Sequence, residues 1–201
     1  MHYGHLKVAL DVKRTLNLDR MLLMPAARSP LKAGHSATVA QRLDMLQLAL
    51  EEFPDLAVDR RELERAGASY TIDSLVQLRN ELGDNARLYF VLGDDLLPTL
   101  NRWSRWRELT DYANLVVTRR PGHFPPIADA VQAWLDETRV DLESLQDSVS
   151  GGVAHIQCSL IDVSSTALRR EARGNTICGQ VIPPPVMEYI NQHQLYRTEP
   201  D

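Results

Sequence analysis

Leu88-Tyr89-Phe90-Val91-Leu92 runs apolar for five residues and is closed at once by Gly93-Asp94-Asp95. A short continuous apolar run bounded by Gly, Pro or Asp suits a strand buried on both faces of a parallel sheet, because helices cover both sides. Leu115-Val116-Val117 has the same texture, and so does Leu22-Leu23-Met24 ahead of Pro25. Leu56-Ala57-Val58 and Ala154-His155-Ile156-Gln157-Cys158 are weaker runs of this kind. Between them lie helical periodicities. Val39, Leu43, Leu46, Leu50 and Phe53 step by three and four, with Thr38 and Gln41 spaced as a capping box. Ile72, Leu75, Val76, Leu78 and Leu82 mark a second helix that starts near Thr71 and stops at Gly83. Leu6, Leu10, Lys13 and Leu16 predict a first helix directly after His5, and Pro183-Pro184-Pro185 opens a last one from Val186. A helix around Val131 to Leu135 and then an acidic connection fill most of 120–152. This alternation predicts an α/β chain with a doubly wound, mostly parallel sheet in a single domain, residues 1–201.

The bulk properties narrow the function classes. The chain has 201 residues, 44% of them apolar and 24% charged, enough for one real core. Its formal charge of −5 argues against a nucleic-acid partner, which would call for a basic surplus. The absence of an apolar run of about 18 residues argues against a membrane, and the N-terminus has no apolar signal region. The two cysteines, Cys158 and Cys178, have no metal-ligand spacing and read as reduced thiols of a cytoplasmic protein. Assembly into a homo-oligomer is left open by the sequence.

Two motifs carry chemistry. His2-Tyr3-Gly4-His5 stands at the mouth of the first helix, where backbone N–H groups and partial positive charge favour phosphate. Imidazoles three residues apart share one face of a turn and can donate to phosphate oxygens, and Gly4 lets a ligand approach the backbone closely. Two surface histidines or a His-x-x-His metal pair are the alternatives; the metal reading lacks an obvious third and fourth ligand. The second motif is Val163-Ser164-Ser165-Thr166-Ala167-Leu168-Arg169, after a strand-like run and opening a helix. It reads either as a plain N-cap with a solvated arginine or as hydroxyls and N–H groups meeting a phosphate that Arg169 neutralises.

Together, His-x-Gly-His early and Ser-x-Thr-x-x-Arg late resemble the nucleotidylyltransferases of the HIGH superfamily, whose domain is Rossmann-like. Further segments resemble bacterial nicotinate-mononucleotide adenylyltransferases. They are Asp59-Arg60-Arg61-Glu62-Leu63, then Ser69-Tyr70-Thr71-Ile72-Asp73-Ser74-Leu75, and Gly93-Asp94-Asp95 through Leu100, Trp103 and Trp106. Val116-Val117-Thr118-Arg119-Arg120-Pro121-Gly122 and Val186-Met187-Glu188-Tyr189-Ile190 through Leu195-Tyr196 complete the set. The likeness runs in order along nearly the whole chain. The pantetheine-phosphate branch is shorter and usually carries lysine at the position of Arg169.

The resemblance implies roles. His2, His5 and Arg169 would be catalytic, steadying the ATP phosphates and the leaving pyrophosphate. Gly4, Lys32, Gly93, Asp95, Ser164 and Thr166 would bind ATP and its phosphates, Asp95 through a ribose. Tyr70, Thr71, Trp103 and Arg120 would bind nicotinate mononucleotide, with Trp103 stacked on the pyridine ring and Thr71 and the backbone near Tyr70 reading the carboxylate. Trp106 reads as core. The implied reaction joins the adenylyl group of ATP to nicotinate mononucleotide in line, with no covalent intermediate on the protein, and with Mg²⁺ carried by ATP. A related cytidylyl- or pantetheine-phosphate transferase, or a nucleotide-binding protein without catalysis, are the competing readings. The family's strand and G-G-T-F-D-P turn before the first histidine have no counterpart here. The sheet is therefore expected to lack its first central strand, and the natural start is expected upstream of Met1.

Overall fold

The computed structural model describes residues 1–27, 37–119, 125–158 and 181–196. The chain divides into two compact units, Met1–Ala68 with Ser159–Asp201, and Ser69–Cys158. In the first unit, α1 (Tyr3–Thr15) begins three residues before Leu6, where the periodicity predicts its start, and residues 1–2 lead into it without a strand. Its buried stripe is Leu6, Ala9, Val12 and, just past its end, Leu16; Leu10 is only half-buried. The predicted stripe was turned by one position because the small Ala9 carried no apolar signal of its own. Lys13 and Arg14 fall in the last turn, where they complement the helix dipole. The Lys13 ammonium also meets Asp55 at 2.7 Å.

Strand β1 (Met21–Leu23) pairs in parallel with β2 (Leu56–Val58), Met21 opposite Leu56 and Leu23 opposite Val58. Between them runs α2 (Val39–Leu50), opened by the expected capping box. The Gln41 N–H donates to Thr38 Oγ1 at 3.2 Å, and the Thr38 N–H donates to Gln41 Oε1 at 2.9 Å. The apolar face differs from the predicted one: Met45, Leu46 and Ala49 are buried, while Val39 is exposed. The last described helix, Pro184–Gln192, packs on α2. It buries Val186 and Ile190, and the Tyr189 hydroxyl donates to Asp44 at 2.8 Å. Pro184 and Pro185 occupy its first turn, where their missing N–H groups cost nothing. A short helix, α3 (Arg61–Glu64), starts on Asp59, which accepts the Arg61 N–H at 3.0 Å.

Among the described residues the second unit holds three parallel strands in the order β3 (Tyr89–Gly93), β4 (Asn114–Thr118), β5 (Val153–Ile156). Phe90 pairs with Leu115 and Leu92 with Val117, and Leu115 in turn pairs with Val153. All five residues of β4 are buried, as its apolar run predicts for a central strand. The helix α4 (Thr71–Leu82) ends at Gly83, whose φ of +82° suits glycine. A 3₁₀ stretch (Asp94–Arg102) and α5 (Leu109–Tyr112) connect β3 to β4. Helices α6 (Asp129–Thr138) and α7 (Leu142–Asp147) precede β5. The acidic connection predicted after Leu135 is thus a helix. Asp141 caps it by accepting the Ser144 N–H at 2.7 Å, and Leu145 is buried. Ile72, Leu75, Leu97, Leu100, Trp106, Leu109, Val131, Trp134 and Leu135 close over the strands as one apolar cluster.

A single cation organises the strand entrances. Arg79, on α4 and only 9% exposed, donates to the carbonyls of Gly83, Asp84 and Ala86 ahead of β3. It reaches Tyr112 ahead of β4 through both Nε and Nη2, and Val149 ahead of β5 through Nη2. Asn114 does similar work at the start of β4. Its amide N–H₂ donates to the Leu145 and Ser148 carbonyls, and its Oδ1 accepts from Ser148 Oγ and the Gly152 N–H. A Cβ on Gly152 would lie 2.6 Å from Val140 Cγ2, so glycine is required for that close approach. Replacing Arg79 by methionine removes its charged hydrogen bonds to all five of these carbonyls, of which those of Ala86 and Tyr112 belong to half-buried residues. Arg79→Met is expected to lower unfolding free energy by about 3 kcal/mol, read by urea titration, with Arg79→Lys recovering only part of it.

Candidate functional site

The first unit brings two sequence-predicted residues into contact. His2 is the N-cap of α1, with extended backbone (φ −143°, ψ 162°), and His5 lies one turn on. Their rings stack with centroids 3.9 Å apart at an interplanar angle of 34°. The three-residue spacing explains the pairing, since i and i+3 share a helix face. His2 is 5% exposed, and the Nδ1 atoms of both rings are shielded from solvent. Gly4 sits between them in the first turn, half-buried and without a side chain. The Tyr3 N–H donates to the Val181 carbonyl at 2.9 Å, and the His5 N–H to the His2 carbonyl at 3.0 Å. Two imidazoles and a helix N-terminus in one place can present N–H donors to an anion. Among the described residues no three His, Cys, Asp or Glu side chains group to hold a metal ion.

The chain leaving β1 is fixed as well. Arg42 of α2 donates to the Ala26 carbonyl at 2.6 Å and to the Ala27 carbonyl at 3.0 Å. Burial pulls the pKa of this guanidinium down, and the Tyr196 phenol offsets part of that. This residue was not singled out from sequence; an arginine on an amphipathic helix reads as a solvated one.

In the second unit Gly93 ends β3, buried and paired with Thr118, whose hydroxyl donates to the Leu92 carbonyl. Ligands of open α/β sheets bind beyond such carboxyl ends. Asp94 and Asp95 open the 3₁₀ stretch, where negative charge meets the positive helix end, and Asp95 Oδ1 is shielded from solvent. Leu97 and Leu100 of the same stretch are buried in the core, which fixes its course. Trp103 caps the stretch, half-buried, with its ring edge-on to Phe90 at 6.2 Å. Trp106 is core, as expected, 8% exposed and edge-on to Trp134 at 5.3 Å. Tyr70 is the exposed N-cap of α4, its carbonyl accepting the Asp73 N–H at 3.1 Å. Thr71 begins that helix, and the next residue, Ile72, belongs to the apolar cluster against which Trp103 packs. Gly93, Asp95, Trp103 and the start of α4 therefore share one unit, while His2, Gly4 and His5 belong to the other. Lys32, Arg120, Ser164, Thr166 and Arg169 lie outside the described residues, as does Cys178. Among the described residues no helix is long and apolar enough to cross a membrane.

His155 was placed by the sequence only as part of a strand-like run. It lies on β5 opposite Val117, exposed among buried neighbours. Partial desolvation and the Arg139 charge push its pKa below the ordinary 6.5, against the pull of Asp94. Its signal in the sequence was a lone polar residue interrupting a buried strand.

Comparisons with known proteins follow the same lines. The family model described as Cytidylyltransferase-like matches residues 1–171. A protein of Cellvibrio japonicus named "Probable nicotinate-nucleotide adenylyltransferase" is 40% identical over 197 residues, covering 98% of this chain and 93% of its own length. One of the same name from Laribacter hongkongensis is 39% identical over 204 residues, covering 99% and 90%. Among solved structures, the Plasmodium falciparum nicotinic acid mononucleotide adenylyltransferase complexed with NaAD superimposes with a TM-score of 0.68. Its identity is 20%, with 98% of this chain and 91% of that one covered, a likeness of fold.

The charges around His155 make its titration predictable. Its NMR midpoint is expected below 6.5, lower still in Asp94→Asn and higher in Arg139→Gln. Because the folded value is depressed, stability should fall as pH drops through 6.5 toward that midpoint. His155→Gln should flatten that part of the stability–pH curve.

Proposed function

Since this chain belongs to the nicotinate-nucleotide adenylyltransferases within the Cytidylyltransferase-like family, we propose that it transfers the adenylyl group of ATP to nicotinate mononucleotide. The products are nicotinate adenine dinucleotide and pyrophosphate, a step of NAD biosynthesis in the cytoplasm. The observation that carries this reading is the stacked His2–His5 pair on the first turn of α1. A phosphate oxygen of the mononucleotide attacks the α-phosphorus of ATP in line, and the bond from that phosphorus to the oxygen bridging it to the β-phosphate breaks, that oxygen leaving with pyrophosphate. The attacking group is already an anion, so no protein nucleophile is needed and no covalent enzyme intermediate forms.

The chain's task is positioning and charge stabilisation. His2, His5 and Arg169 steady the phosphates and the negative charge that grows on the leaving group. Gly4 admits the triphosphate to the backbone of the turn, and Lys32, Ser164 and Thr166 hold it. Gly93 and Asp95 receive the nucleotide, Asp95 accepting hydrogen bonds from a ribose. Trp103 stacks on the pyridine ring, Thr71 and the Tyr70 backbone read the carboxylate, and Arg120 takes the mononucleotide phosphate. The half-exposed setting of Trp103 beside Phe90 supports that role, since a flat ring can lie on its open side. Mg²⁺ enters with ATP as part of that substrate and neutralises phosphate charge. Both units serve one reaction in this reading, as a single nucleotidylyltransferase domain.

Loss of one preorganised donor to a transition state costs about 10²–10³ in rate. His5→Ala is therefore expected to lower kcat to that degree in a pyrophosphate-release assay, and a variant retaining most of its kcat would refute the role. Trp103→Ala should raise KM for nicotinate mononucleotide about fivefold while leaving KM for ATP in place. A panel of nicotinate mononucleotide, nicotinamide mononucleotide and phosphopantetheine, with ATP and CTP, separates the proposed reaction from those of related transferases. ATP binding without pyrophosphate release from any acceptor would instead mark a non-catalytic binding protein.

A further inference from the structure

The start of α1 meets the segment that leads into the last described helix. Tyr3, the first residue of α1, donates its N–H to the carbonyl of Val181 at 2.9 Å. That carbonyl belongs to a well-anchored segment. Ile182, Val186, Ile190 and Leu195 are buried, and the Tyr189 hydroxyl reaches Asp44 of α2 at 2.8 Å. The first N–H groups of a helix have no partner within it, and one of them is here held from outside. Tyr3 lies directly between His2, the N-cap, and Gly4, so a shift of its amide plane must carry the His2 ring with it.

We propose that Val181 and the helix behind it are a positioning element for the imidazole pair. The bond from the Tyr3 N–H to the Val181 carbonyl sets the His2–His5 geometry, and the Tyr189–Asp44 bond holds that carbonyl in place. The consequence for catalysis rests on the role given above to the two histidines. A displacement of a fraction of an ångström in that turn matters because catalytic donors must match the place where charge develops.

Proline provides the test. The first helical position accepts it without loss, and the extended backbone of His2 is what a residue before proline adopts. Tyr3→Pro thus removes the N–H and keeps the helix. Tyr3→Ala is the reference, since it loses the same ring, which otherwise lies edge-on to Phe53 at 6.3 Å, but keeps the donor. In the full chain, the His2 and His5 imidazole NMR signals are expected to move between Tyr3→Ala and Tyr3→Pro. The kcat should fall about tenfold between them, with KM for nicotinate mononucleotide unchanged. Tyr189→Phe, which retains the ring and loses the bond to Asp44, should displace the same imidazole signals in the same direction. It keeps the proposal testable should Tyr3→Pro not fold. Superimposable imidazole signals in Tyr3→Ala and Tyr3→Pro, or signals in Tyr189→Phe that match the unmodified chain, would overturn the proposal. Failure of the unmodified chain to release pyrophosphate would sink the assigned reaction instead, and the imidazole comparison would still decide the positioning role.

Discussion

Parallel strands enter a sheet from one side, and the backbone carbonyls of every entering loop must be satisfied there. In the second unit a single guanidinium meets that requirement for all three strands. Arg79 binds carbonyls before β3, β4 and β5, and Asn114 ties α7 and the 148–152 turn to the start of the central strand. A cation with five donors in a fixed fork can do this, whereas an ammonium with three cannot span such a set. The polar work of folding is thereby gathered at the amino ends of the strands. The carboxyl ends are left to Gly93, Asp94, Asp95 and the 3₁₀ stretch, whose course is fixed by buried leucines on one side.

The first unit divides its labour in a comparable way. Its apolar residues bring α2 and the last helix together, and its directed hydrogen bonds sit at chain exits and helix starts. Arg42 holds the carbonyls of Ala26 and Ala27 where the chain leaves β1, and Val181 holds the amide of Tyr3. Both contacts are made to backbone rather than to side chains, so they fix the path of the chain whatever side chains it carries. A site assembled on loops needs such anchors, because loops lack the ladders that hold strands.

How far the sequence could be read follows from the range of each interaction. The five strands among the described residues, the capping box of Thr38 and Gln41, and the glycine stop of α4 are local and were legible. The apolar face of α2 was misread because it depends on where the last helix lies, which puts Val39 in solvent and Ala49 in the core. Helix α7 was hidden by its acidic residues, although Asp141 three positions before Ser144 was a cap signal. The 3₁₀ stretch was hidden by Pro98, which this tighter winding accommodates. In the site, the His2–His5 pairing followed from spacing alone. The bonds of Arg42, Arg79 and Val181 did not, because each joins residues whose nearness exists only after folding.

Histidine at both positions of the turn has a physical logic. The chain carries a formal charge of −5, so an anionic substrate must be drawn by local devices rather than by the overall field. Two ammonium groups 4 Å apart would repel by about 1 kcal/mol even in bulk water, and more beside the low-dielectric core. An imidazole needs no charge in order to donate an N–H, so two rings can stack at 3.9 Å and still offer donors to one phosphate. Lysine at either position would bring a full charge on a flexible stem and forfeit the stacked geometry.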